Sequence, residues 1–74
     1  MNDYAERTRD IMVGYFVKIA WSHGVNVLDI VFDKASNAIE KTIHQHVDDG
    51  SLSKTEYWAQ AWGYAQEAWR EYTS

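Results

Sequence analysis

Between Ser53 and Tyr72 every large ring falls on one side of a helix. At 100° per residue, Tyr57, Trp58, Ala61, Trp62, Tyr64, Ala65, Ala68, Trp69 and Tyr72 share an arc of roughly 160°. Gln60, Gln66, Glu67, Arg70 and Glu71 lie outside it. Trp58, Trp62 and Trp69 line one edge of the arc, Tyr57 and Tyr64 line the other, and Ala61, Ala65 and Ala68 run between them. Small residues along such a midline let a neighbouring helix come close, while the flanking rings bury large apolar areas. Ser53 and Glu56 have the spacing of a capping box, and Leu52 with Tyr57 that of a hydrophobic staple, so the helix should start near residue 54. This aromatic face is expected to be core.

The remaining chain reads as two more helices. Asp3 and Glu6 offer a second capping pair, and Gly24 offers a stop, which predicts a first helix over about 4–22. Tyr4, Thr8, Ile11, Met12, Tyr15, Phe16 and Ile19 recur on its core face. A second helix is expected over about 25–47, with Leu28, Val31, Phe32, Ala35, Ala38, Ile39, Thr42, Ile43 and His46 on one side and Asp48, Asp49 and Gly50 as the break. Its first turns are rich in β-branched residues that would also suit a strand, but no partner strand is evident elsewhere. The third helix covers about 54–72. Gly14 and Gly63 fall inside helices, where glycine costs about 1 kcal/mol relative to alanine and can mark a close approach.

Short turns make such helices antiparallel neighbours. The expected fold is therefore all-α: one domain over residues 1–74, a small three-helix bundle or helical hairpin that dimerisation can complete. A chain of 74 residues buries only a modest core, and with no cysteine it has no disulfide to reinforce it. Aromatic content of 15% within 46% hydrophobic residues still argues for a folded chain. The apolar run from Ile11 to Trp21 is interrupted by Lys18, follows Asp3, Glu6 and Asp10, and is shorter than the ~20 residues that span a bilayer. A cytoplasmic protein without membrane contact is expected.

Two surface features point towards partners. Val13, Val17, Ala20 and Trp21 lie away from the core stripe of the first helix, where polar residues are expected. A second apolar strip implies contact with another protein or a homodimer seam, unless the second and third helices cover both sides of the first. The second feature is charge. The net −4 is concentrated in the second segment, where Asp29, Asp33 and Glu40 would align on one helical wheel with Ser36 and His44. Such a ridge can be a solvated face, or it can attract a basic surface and imitate phosphates. Direct nucleic-acid binding is not expected, because there is no basic stripe.

Chemistry-bearing constellations are sparse. Glu40 and His44 stand four apart and supply two ligands, too few for a metal site. His23 beside Gly24 reads as a helix-end residue, and His46 as a core-edge residue with one nitrogen satisfied locally. No cysteine nucleophile, Gly-x-Ser-x-Gly elbow or Gly-rich phosphate loop is present. No catalytic residue, cofactor or metal is expected. The residues together imply a non-catalytic helical module that blocks or regulates a partner protein by occupying its surface. The alternative is an acidic nucleic-acid mimic, of the phage or mobile-element type, that inhibits a DNA- or RNA-binding protein.

Overall fold

The computed structural model describes residues 3–48 and 57–74, with side chains described for residues 7–46 and 60–74. Among the described residues three α-helices follow one another and no strand occurs: α1 (Asp3–Ser22), α2 (Phe32–Asp48) and α3 (Tyr57–Thr73). A single 3₁₀ turn, Val27–Asp29, interrupts the crossover from α1 to α2. The bundle measures 33 × 18 × 18 Å, its long axis close to the ~30 Å of a twenty-residue helix. The proposed capping residues Ser53 and Glu56, the staple residue Leu52, and the side chains of Asp3, Tyr4, Glu6, Tyr57 and Trp58 lie outside what is described.

Helix α3 is the element on which the other two depend. It packs along both α1 and α2, whereas α1 and α2 meet each other less extensively. Ala61, Ala65 and Ala68 are fully buried, as their place between the aromatic edges predicts. With only a methyl group at each of these positions, the backbones can approach within the 8–10 Å of close helix packing. The core is completed by Met12, Phe16 and Ile19 from α1, Ala35, Ala38, Ile39 and Ile43 from α2, and Tyr64 from α3. Phe16 meets the α3 rings edge-on, 5.4 Å from Trp69 and 5.4 Å from Tyr72. Tyr15 makes a similar contact with Trp62 at 5.1 Å. Thr8 and Thr42 are buried, and the Thr42 hydroxyl donates to the Ala38 carbonyl one turn earlier.

The end of α1 follows from Gly24. Its φ of +79° lies in the left-handed region, which is strained for any residue with a Cβ. The Val25 N–H reaches back to the Ala20 carbonyl and the Gly24 N–H to that of Trp21, the two bonds of a Schellman motif. Beyond this reversal the chain does not resume a helix at residue 25, as the sequence periodicity suggests. The Asn26 side chain instead accepts from the Leu28 N–H and caps the 3₁₀ turn, and Asn26 and Ile30 on either side of it are both extended. β-branched Val25, Val27, Ile30 and Val31 lose side-chain freedom in a helix and suit this extended path. Helix α2 consequently starts at Phe32, seven residues later than expected. Leu28, Val31 and Phe32, expected in the core, are 89%, 58% and 76% exposed.

A Cβ built on Gly14 or Gly63 meets nothing within 4 Å, so neither glycine marks a close approach. The alanine midline and the helical glycines should therefore respond oppositely to added bulk. Ala65→Leu is expected to cost about 1–3 kcal/mol by overpacking. Gly63→Ala is expected to stabilise by up to about 1 kcal/mol. Urea midpoints measured side by side test both, and an Ala65→Leu variant as stable as the parent would contradict the packing described.

Candidate protein-binding surface

The reduced meeting of α1 and α2 leaves a groove along one side of the bundle. Phe16 and Ile39 form its floor, and Val13 and Val17 of α1 face Phe32 and Ala35 of α2 across it. Val27 and Ile30 of the crossover close its upper end around a volume of about 100 Å³. The groove runs on past Ser36 towards Arg9 and Glu40, whose side chains join α1 to α2 at 2.9 Å. Each partner of that ion pair is about two-fifths exposed, so it contributes at most about 1 kcal/mol.

The α1 strip expected from sequence is only partly at the surface. Val13 is 42% exposed and Trp21 77% exposed, while Val17 is half-buried in the groove wall. Ala20 must be removed from the strip because it is fully buried. The chain reversal at Gly24 brings Val25 back onto the Ala20 carbonyl, and the 3₁₀ turn packs against α1. In place of Ala20, the surface gains Val27, Leu28, Val31 and Phe32. Of these, Leu28, Val31 and Phe32 read as core only because they share helical spacing with Ala35. The signal that could have placed them is the helix stop at Gly24 followed by an Asn cap and β-branched residues.

A hydrogen bond joins the crossover to α3. The Val31 N–H donates to the Tyr72 hydroxyl at 3.0 Å, and the Lys34 ammonium sits 5.2 Å from the centre of the Tyr72 ring. Tyr72 thereby positions the apolar segment at the end of the bundle where α1 stops and α2 starts.

The acidic residues do not form the row expected of them. Asp29 belongs to the 3₁₀ turn rather than to α2, which starts three residues later. Asp33 is exposed in the first turn of α2, where its charge suits the helix N-terminus. Glu40 is paired with Arg9, and its other carboxylate oxygen lies 3.9 Å from His44. Among the described residues no cluster of three or more His, Asp or Glu side chains has the geometry to hold a metal ion.

The aromatic face behaves largely as a structural element. Tyr64 is buried and donates its hydroxyl to Gln60, while Trp69 is half-buried between Phe16 and a stacked His23 ring at 5.3 Å. Trp62 remains 44% exposed. His46 does sit at the core edge, 4.0 Å from the Tyr64 ring, with Nε2 2.7 Å from Glu67 and Nδ1 buried without a hydrogen-bond partner. This suits a tautomer in which Nε2–H donates to the Glu67 carboxylate. Lys41 and Glu71 add a second, exposed tie between α2 and α3 at 2.8 Å. Among the described residues no helix is long and apolar enough to cross a membrane.

No family model matches this chain, and neither a curated protein nor a solved structure matches it.

Tyr72→Phe removes the acceptor for the Val31 N–H and should cost about 0.5–1.5 kcal/mol. Amide exchange at Val31 should accelerate by roughly tenfold while exchange within α3 stays slow. Unchanged protection at Val31 would show that the hydroxyl does not hold the crossover.

Proposed function

We propose that this chain is a non-catalytic, cytoplasmic protein-binding module that acts by occupancy. Its apolar groove and the adjoining crossover cover a patch on another polypeptide and so block or regulate it. The observation that carries this reading is the concentration of exposed apolar side chains. Val13, Val27 and Phe32 border one groove, and Leu28 and Val31 belong to the same short crossover. Scattered surface hydrophobics are ordinary in a soluble protein, but a contiguous group of this kind is characteristic of interaction sites. The neighbouring Trp21 is of the type most often found as an interface anchor.

A non-catalytic role is supported by where the ionisable groups go. Arg9 with Glu40 and Lys41 with Glu71 are ion pairs that tie helices together on open faces. Such faces do not exclude water from a reaction. Binding through an apolar patch also differs from charge mimicry in its response to salt, which screens an acidic decoy strongly and an apolar contact weakly.

The double variant Val13→Asp, Phe32→Asp is expected to keep the helical circular dichroism of the parent and to lose the protein that the parent captures from native cell extract. Capture by the parent should change little as salt is raised. A double variant that captures the same protein equally well would contradict the assignment of this surface.

A further inference from the structure

We infer that the polypeptide covering this surface is a second copy of the same chain, joined about a two-fold axis at the end of the bundle where α1 stops and α2 starts. The inference rests on the protein-binding reading above and names its partner.

Three observations converge on a second copy. The first is area. Val13, Trp21, Val27, Leu28, Val31 and Phe32 are between 42% and 89% exposed. For side chains of these sizes this amounts to roughly 700 Å². Each partner in a stable interface of standard size buries about 800 Å². Covered in full, these side chains would supply most of one partner's share of such an interface.

The second observation is charge. The apolar residues are rimmed by both signs, with Asp29 in the 3₁₀ turn and Asp33 beside Lys34 at the start of α2. In an isologous contact the same patch meets itself, so a two-fold axis can set Lys34 of one copy towards the carboxylates of the other. An anionic lipid surface would be repelled by carboxylates adjacent to Leu28 and Phe32.

The third observation is the economy of a small core. With α1 and α2 in reduced contact, the groove lies directly over the buried core residues Phe16 and Ile39. Chains of this size bury a smaller fraction of their surface than larger domains, and association commonly supplies the deficit. A second copy seated on Val13 and Phe32 closes the groove above those core residues.

The test is sedimentation equilibrium with light scattering on the purified full chain, from low micromolar to near-millimolar concentration. The expected result is a mass rising to twice the 8.6 kDa of one chain. Leu28→Asp and Phe32→Asp should each weaken self-association by about thirtyfold or more. Gln45→Asp, on the exposed side of α2 far from the crossover, should leave it unaltered. Leu28 is 89% exposed, so its variant tests the contact even where Phe32→Asp perturbs folding. Added salt should change the association little, since it screens both the attraction of Lys34 to the facing carboxylates and the repulsion between copies of net charge −4.

A wild-type chain that stays at 8.6 kDa throughout overturns the inference. If that monomer captures another protein, or binds anionic vesicles, through Leu28 and Phe32, the surface has a different occupant and the second copy is excluded. If it binds nothing through those residues, the protein-binding reading falls as well. A dimer that tolerates both aspartate substitutions overturns the placement of the axis.

Discussion

The close approach allowed by Ala61, Ala65 and Ala68 governs the rest of the structure. Because all three are fully buried, α3 can serve as the common neighbour of both other helices instead of pairing with one of them. The rings beside this midline then fill the angles between helices, as Phe16, Trp69 and Tyr72 do around their shared edge-on contacts. A helix that brings two partners to itself need not bring them to each other. The groove between α1 and α2 follows from that division, and so does the exposure of Val13 on one wall and Phe32 on the other.

The second determinant is the way the chain crosses from α1 to α2. A Schellman reversal at Gly24 and an asparagine-capped 3₁₀ turn take up residues that a helical continuation would have buried. Most of their N–H groups bond locally, and that of Val31 bonds to the Tyr72 hydroxyl, so the segment is positioned without most of its side chains being covered. Apolar surface consequently accumulates at one end of the bundle. The ion pairs Arg9 with Glu40 and Lys41 with Glu71, and the hydrogen bond between His46 and Glu67, bridge helices elsewhere.

Much of this architecture is legible from residue spacing. The buried face of α1 and the alanine midline of α3 follow from 3.6-residue periodicity, because each is a long run whose apolar positions agree with one another. Periodicity failed where a short apolar run continued the helical spacing by coincidence. Leu28, Val31 and Phe32 are in phase with Ala35 and Ile39, yet a helix stop and β-branched residues outweigh that phase. The same error displaced Asp29 from the supposed acidic ridge. Ala20 differs: on the wheel it stands about 40° from Phe16, at the margin of the buried face, and the chain turning back at Gly24 bonds to its carbonyl. Glu40 likewise had a partner 31 positions away that no local spacing could reveal.

Cover of the apolar end of the bundle by a second copy has a direct signature in solution. Hydrogen–deuterium exchange followed by mass spectrometry, as a function of protein concentration, addresses it most directly. Amides of residues 25–32 carry few helical hydrogen bonds and report on cover from outside. Their exchange should slow as concentration rises, while exchange along α3 stays the same. Exchange in residues 25–32 that is independent of concentration, up to the highest attainable, would contradict it.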